Sequence, residues 1–190
     1  MTRSPFLVNV ATFRRSTGTR RHECRRGSIP GLEITGSRVP PGGIVEVHVV
    51  LDATDGGIAV GGRVTAPWVG ECRRCLGEVT GELEVEVHDL YQAHHRADPA
   101  PEDEEESYLL TGDVLDLEPL ARDAVLLSLP LAPLCRPACE GLCPTCGADL
   151  NAGSCGCPPA LADPRWAGPG AGRAGAIVER PRSGRPVAGA

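Results

Sequence analysis

The chain of 190 residues contains no lysine, since all nineteen of its basic residues are arginine. Aromatic residues are also scarce, with two Trp, two Tyr and two Phe, so a core must be built mainly from Val, Leu and Ile. Such a core is thin for a chain of this length, and a structural metal would support it. No stretch approaches the ~20 apolar residues that a membrane-spanning helix needs, so we expect no membrane contact.

Cysteine, by contrast, is abundant, with nine residues. A secreted disulfide scaffold is one explanation, but three features argue against it. The N-terminal stretch MTRSPFLVNVATFRR has no apolar run of signal-peptide length, the number of cysteines is odd, and most of them are clustered. We therefore expect reduced, metal-binding cysteines in a cytoplasmic protein.

Charge is distributed unevenly around the net value of −6. Residues 1–38 hold eight arginines against Glu23 and Glu33, which gives +6 and leaves −12 for the remainder. Basic side chains in the first part are candidates for phosphate contact; they include Arg14, Arg15, Arg20, Arg21, Arg25 and Arg26. The acidic stretch 82–118 could instead hold a basic protein. The two ideas predict opposite partners, a nucleic acid or a basic protein, and neither requires a small-molecule substrate.

A period of two in hydrophobicity dominates the first half of the chain and predicts β-strands with one wet face. It runs through the segments PFLVNV, LEITGSRV, IVEVHVVLDA, GGIAVGGRVTAPWVGECRRC and ELEVEVHDLY. Asp55-Gly56-Gly57 predicts a hairpin turn between two of these strands. We expect a small antiparallel sheet or partial barrel.

One amphipathic helix is predicted after this sheet, with Asp116 as its N-terminal cap and Pro119 in its first turn. Its apolar stripe is expected to consist of Leu117, Leu120, Ala121, Ala124 and Leu127. Pro130 and Pro133 should end it. The predicted fold is therefore α+β, with a small C-terminal zinc-knuckle lobe. We expect a β-rich region at 1–91, an acidic linker at 92–107, the helix and cysteine-rich lobe at 108–166, and a disordered tail at 167–190.

Six cysteines lie between Cys135 and Cys157 in the run CRPACEGLCPTCGADLNAGSCGC, and a separate pair forms Cys72-Arg-Arg-Cys75. Two cysteines on a C-x2-C knuckle converge on one tetrahedral zinc ion, and Gly147 can adopt the left-handed conformation that follows such a knuckle. The predicted ligands are Cys72, Cys75, Cys135, Cys139, Cys143, Cys146, Cys155 and Cys157. Either two of the six are spectators around one zinc, or Cys72 and Cys75 complete eight ligands for two.

A structural zinc is favoured over a catalytic one because no histidine or His-x-Glu element accompanies these cysteines. An iron–sulfur cluster is a further alternative. Cys72-Arg-Arg-Cys75 could also be a redox dithiol, or a loop whose Arg73 and Arg74 contact phosphate or balance the charge of the metal. Its β-rich surroundings disfavour redox chemistry, since a reactive dithiol usually begins a helix. Cys24 is interpreted as a free, exposed thiol.

Several of these segments together resemble a known family. CRRCL followed by ELEVEVHDLY, then DVLDLEPLARDAVLLSLPLAPLC, CEGLCPTCGADLN and a final CGC are similar to the YceD-like large ribosomal RNA subunit accumulation proteins, in their actinobacterial form. The resemblance implies a cytoplasmic, non-enzymatic factor for 23S ribosomal RNA accumulation and large-subunit assembly. It would act by binding ribosomal RNA or a basic large-subunit ribosomal protein. A thiol redox protein, a zinc hydrolase and a zinc-stapled adaptor unrelated to ribosomes are the alternatives.

Overall fold

The computed structural model describes residues 4–93, 108–110 and 112–158. The strands are β1 (Leu7–Asn9), β2 (Arg20–Gly27), β3 (Glu33–Ile34), β4 (Ser37–Arg38), β5 (Val45–Thr54), β6 (Gly57–Glu71), β7 (Glu78–Ala93), β8 (Leu109–Leu110) and β9 (Val114–Asp116). A short 3-10 helix spans Phe13–Arg15, and the α-helix α1 spans Glu118–Ser128.

The long strand β6 lies at the centre of the main sheet. One of its edges pairs antiparallel with β5 and, further along, with β4, while the other edge pairs with β7 over its whole length. β2 lies outside β5, β3 lies outside β4, and β8 joins β7 in parallel. A second, two-stranded sheet pairs β1 with β9. The predicted antiparallel sheet is confirmed, and the described strands do not close into a barrel.

One face of the main sheet forms the core. Alternate side chains of β5 and β6 are buried on this face, as the period of two predicted; they are Val45, Val47, Val49, Leu51, Ala53, Ile58, Val60, Val64 and Ala66. Leu120, Ala121 and Val125 of α1 and Val8 of β1 belong to the same core. α1 and the small sheet supply the second layer, and within the described ranges the opposite face of the main sheet is left open.

Strand β2 arises from the arginine-rich segment that the hydrophobic pattern left without structure. Its side chains alternate between exposed and half-buried positions, as in any strand with one covered face. On the covered face, Glu23 forms ion pairs with Arg21 at 2.9 Å and with Arg25 at 2.8 Å. The alternation exists, but charged residues carry it, so a search for apolar periodicity cannot detect this strand.

Helix α1 forms where it was predicted, with two differences. Leu117 occupies the N-cap position that was predicted for Asp116. Asp116 lies one residue before the cap, and its Oδ1 accepts the N–H of Glu118 at 3.0 Å. Leu127 was assigned to the buried stripe, but its side chain is 88% exposed and Val125 is buried instead. That part of the prediction is wrong, because the face of the helix that packs on the core includes Val125 and leaves Leu127 in solvent.

The predicted turn at Asp55 and Gly56 connects β5 to β6. Most of the predicted acidic linker, from 94 to 107, and all of the predicted tail at 167–190 lie outside the described residues. The linker's first two positions, 92 and 93, belong to β7. Within the described ranges, α1 is too short and too polar to be a membrane-spanning helix.

We expect Gly62→Ala to destabilise the protein, because a Cβ at Gly62 would overlap the carbonyl oxygen of His48 and lie 2.7 Å from Cα of Val49. Both neighbours are backbone atoms of the adjacent strand, so the sheet itself must shift, and the unfolding free energy should fall by about 1–3 kcal/mol. Gly56→Ala is the matched control, since a Cβ there meets nothing within 4 Å. Denaturant unfolding of both variants tests this, and equal midpoints would contradict it.

Candidate metal centres

The nine cysteines are not scattered, because eight of them form two groups of four. One group contains Cys72, Cys75, Cys135 and Cys139, and the other contains Cys143, Cys146, Cys155 and Cys157. Within each group all sulfur atoms lie within 4.8 Å of one another. In the folded chain, Cys135 and Cys139 therefore lie beside the Cys-Arg-Arg-Cys pair, and the other four C-terminal cysteines form a separate group. Each group can hold one metal ion.

Both groups are organised by the same backbone turn. In each C-x2-C knuckle, the N–H of the first cysteine donates to the carbonyl of the residue five positions later. The carbonyl of the same cysteine accepts the N–H of the residue four positions later. The bonds are Cys72 to Gly77 at 2.8 Å and Leu76 to Cys72 at 2.9 Å, and Cys143 to Ala148 at 2.8 Å and Gly147 to Cys143 at 2.8 Å. The knuckles predicted from spacing therefore exist in duplicate.

The residue after each knuckle has left-handed backbone geometry. Gly147 has φ +73°, as its sequence position predicted, whereas the equivalent Leu76 has φ +59°. This conformation is strained for a leucine and ordinary for a glycine. Leu76 is also 62% exposed, so packing of its side chain does not offset the strain within the described part of the chain.

The first group joins distant parts of the chain. Cys72 and Cys75 lie in the connection between β6 and β7, and Cys135 and Cys139 follow α1. The sulfur of Cys72 is 3.8 Å from that of Cys139, 67 residues away, and the sulfur of Cys75 is 3.7 Å from that of Cys135, 60 residues away. A metal here would tie the tip of the central hairpin to the segment behind the helix.

Two polar side chains hold this first group in place. Arg74 donates from Nη1 to the carbonyl of Cys139 at 2.7 Å and to that of Pro137 at 3.2 Å. Asn151 donates from Nδ2 to the sulfur of Cys139 at 3.4 Å, and its Oδ1 accepts the N–H of Glu140 at 2.9 Å. Partners of this kind orient ligands around a metal. Neither role was predicted, although Arg74 and Asn151 both lie within the motifs themselves.

The second group is local. Its four cysteines lie within residues 143–157, and the lobe they form contacts the first group through Leu142, whose N–H donates to the carbonyl of Arg74 at 3.1 Å. A bridge between Leu142 and Asp149 closes the loop around the second knuckle. Cys143 is buried and Cys146 is exposed. Metal binding here would order this lobe without joining distant strands.

Proton affinities differ within each group. N–H groups of Cys75 and Cys135 lower the pKa of Cys72 to about 6, and N–H groups of Cys146 and Thr145 lower that of Cys143 to about 6. Hydrogen bonding to Cys139 raises the pKa of Cys135 to about 12, and Cys146 does the same for Cys157. One thiolate is therefore stabilised in each knuckle, and a metal ion must displace protons from other thiols, so metal binding weakens as the pH falls.

The arginines proposed for partner contact divide into two kinds. Six of the eight bind within the protein. Arg14 donates to the carbonyl of Gly112 at 2.6 Å, Arg20 pairs with Asp52 at 2.7 Å, Arg21 and Arg25 pair with Glu23, Arg26 pairs with Glu46 at 2.8 Å, and Arg74 binds the first cysteine group. The guanidinium groups of Arg15 and Arg73 are exposed and have no hydrogen-bond or ion-pair partner among the described residues. The structure does not bring the eight together into one basic surface.

Cys24 stands apart from both cysteine groups. It lies on β2, on the open face of the sheet, and is exposed. Its sulfur is 3.8 Å from Nε2 of His48, which in turn lies 3.3 Å from a carboxylate oxygen of Glu46.

Comparison with known proteins points to one family. The sequence model of the large ribosomal RNA subunit accumulation protein YceD matches residues 60–168, which include all eight grouped cysteines. An uncharacterized protein of Mycobacterium tuberculosis is 35% identical over 167 residues, covering 86% of this chain and 79% of its own, and a Mycobacterium bovis protein matches equally. A maize chloroplast protein, a YCED homolog 1 named for large ribosomal RNA subunit accumulation, is 46% identical over 46 residues, or 24% of this chain and 16% of its own. No solved structure matches the chain significantly.

The different positions of the two groups predict different losses of stability. Cys75→Ser should lower the unfolding midpoint of the whole protein, because closing a loop of 60 residues contributes about 4 kcal/mol when the cross-link is intact. Cys146→Ser, at the equivalent knuckle position, should unfold only the local lobe and leave the midpoint of the sheet nearly unchanged. Far-ultraviolet circular dichroism during heating, in metal-containing reducing buffer, measures both. Equal losses would contradict the assignment of the first group as the long-range cross-link.

Proposed function

Because the chain belongs to the YceD family of large ribosomal RNA subunit accumulation proteins, we propose that it is a non-enzymatic factor that supports 23S ribosomal RNA accumulation during large-subunit assembly. The observation that carries this proposal is the family match over residues 60–168. That span contains the central hairpin, α1 and both cysteine groups. The protein would act in the cytoplasm by binding a partner. Its cysteines would stabilise the fold that presents the binding surface.

We propose zinc as the metal in both groups. A tetrahedral ion with zinc–sulfur bonds of about 2.3 Å separates its sulfurs by about 3.8 Å. The sulfur pairs of the first group are 3.8 Å and 3.7 Å apart, which supports a single ion. A cluster of several irons would need its four cysteines further apart. All eight sulfurs belong to C-x2-C knuckles or to the segments that face them.

The composition of these groups supports a structural role. Each consists of four cysteines, with no histidine or carboxylate among the described residues that meet the same distance limit. Four thiolates fill a tetrahedral ion, so no coordination position is left for water or substrate. The Arg74 and Asn151 bonds around Cys139 would fix the site further. The metal would then hold the fold and leave recognition to the surface.

The charges favour a basic protein over RNA as the direct partner. Of the eight arginines considered for phosphate contact, six are bound within the protein, which leaves Arg15 and Arg73. The exposed side chains of β7 are largely acidic and include Glu78, Glu82, Glu84 and Glu86. A basic large-subunit ribosomal protein complements this surface, whereas phosphates would be repelled.

Protein purified under reducing conditions should contain two zinc ions per chain. The double variant Cys72→Ser, Cys75→Ser should retain one, because all four ligands of the second group are unchanged, and Cys24→Ser should retain two. Elemental analysis against protein concentration gives the numbers. Iron with acid-labile sulfide would replace zinc by an iron–sulfur cluster, and absence of any metal would remove the structural-metal proposal while leaving the family assignment in place.

The assembly role predicts co-sedimentation with large-subunit precursors and not with mature subunits. Depletion of the protein should lower the ratio of large-subunit to small-subunit ribosomal RNA, because accumulation of the large-subunit RNA depends on the factor. Gradient fractions probed for the protein, with the Cys24→Ser variant as a control that should still complement, measure both effects. An unchanged RNA ratio together with sedimentation away from precursors would support the adaptor alternative instead.

A further inference from the structure

One edge of β7 is left unpaired by the described strands. β6 pairs with β7 from Glu78 to Gln92, but on the opposite edge the described partner is β8, which pairs at Gln92 and Ala93. Between Glu78 and Tyr91 this second edge has no strand beside it in the described ranges. A row of unpaired backbone N–H and C=O groups is a template for adding another strand.

The hydrogen-bonding direction of each residue on this edge follows from the register. Gln92 donates its N–H to the carbonyl of Tyr108 at 3.0 Å, away from β6. The β6–β7 pairing is unbroken from end to end, so every second residue from Gln92 points its N–H and C=O the same way. Leu90 is one of them, but its N–H already donates to Oδ1 of Asp89 at 2.7 Å. The others are Thr80, Glu82, Glu84, Glu86 and His88.

The two faces next to this edge differ in chemistry. Glu82, Glu84 and Glu86 point to the open face and are exposed, and Arg63, 3.2 Å from Glu84, is the cation paired with them among the described residues. Leu83 and Val85 point to the other face and are half-buried. A strand added here would therefore meet carboxylates on one face and aliphatic side chains on the other.

We propose that the free edge of β7 is the docking surface for an extended segment of another protein, rich in Lys and Arg, which adds to the sheet as a strand. The segment would carry basic residues at every second position, opposite Glu82, Glu84 and Glu86, with apolar residues between them. This inference rests on the proposed function, because it names the class of partner that the assembly factor holds. A second copy of the chain fits poorly, since its own edge would place carboxylate against carboxylate, and RNA would meet the same repulsion.

The test uses a synthetic peptide of about nine residues, one strand long, with arginine alternating with valine or threonine. The full-length, metal-loaded protein should bind it, and Glu84→Gln should weaken binding by removing one charge. Glu84→Pro should weaken it further, by at least about tenfold relative to Glu84→Gln. Proline at this position removes the outward N–H but no bond to β6, so the sheet tolerates it. Glu33→Gln, an exposed carboxylate on β3, is the matched control and should bind normally.

Amide hydrogen exchange provides the second readout. Bound peptide should slow exchange at Glu82, Glu86 and His88, whose N–H groups face the free edge. Equal peptide affinities for Glu84→Pro and Glu84→Gln, or no slowing at these amides, would overturn the proposal and leave the glutamates as charges that only prevent aggregation.

Two other occupants give distinct results. Slow exchange at these amides without peptide, independent of concentration, would mean that the chain's own arginine-bearing C-terminal segment covers the edge. Slow exchange that grows with concentration would mean self-association. Either result overturns the proposal. Co-sedimentation distinguishes failure of the docking proposal from failure of the proposed function. If wild type and Glu84→Pro both co-sediment with large-subunit precursors, the assembly role is supported and the β7 docking surface is not.

Discussion

The first cysteine group is the constraint on which the arrangement of the remaining elements depends. Sulfurs 67 residues apart in sequence meet at 3.8 Å, and they join the tip of the β6–β7 hairpin to the segment that leaves α1. With few aromatic residues, the core is composed of small and medium aliphatic side chains. A metal ion bound there would cross-link the two layers and compensate for that thin core, because it would remove conformational freedom from the unfolded chain.

The two knuckles have the same hydrogen-bonded backbone turn but belong to cysteine groups with different roles in the fold. Their hydrogen bonds are the same within 0.1 Å, yet one belongs to the group that joins distant segments and the other to the local group. Arg74 connects them, since its guanidinium binds the carbonyl of Cys139 and its own carbonyl accepts the N–H of Leu142. The second lobe is thus positioned by the first group rather than by packing on the sheet.

The open face and free edge of the sheet carry the charges that the core excludes. β2 contributes arginines on one side and β7 contributes glutamates on the other, with β5 and β6 between them. Much of the positive charge is neutralised internally by Asp52, Glu23 and Glu46. The glutamates of β7 have fewer partners, so the surface available for recognition is more acidic than the sequence's balance of charges suggests.

Local pattern determined much of this protein by itself. Alternation in β5 and β7, the turn at Asp55 and Gly56 and the left-handed geometry at Gly147 all follow from residues within a few positions of one another. Motif order also identified the family, because spacing within a knuckle is a local property. Strand β2 was not predicted because its alternating residues are charged. Leu127 was wrongly assigned to the buried stripe because helical spacing does not show which residues of the helix face the sheet.

Only the tertiary structure decided how the eight cysteines divide. Six candidates in one run are chemically equivalent in sequence, and nothing local separates Cys135 and Cys139 from the four that follow. Their assignment depends on α1 packing across the sheet, which brings its C-terminal extension to the β6–β7 connection. The same packing engages Arg74 with Cys139. These contacts join residues 60 or more positions apart in the first group, and no short-range preference encodes them.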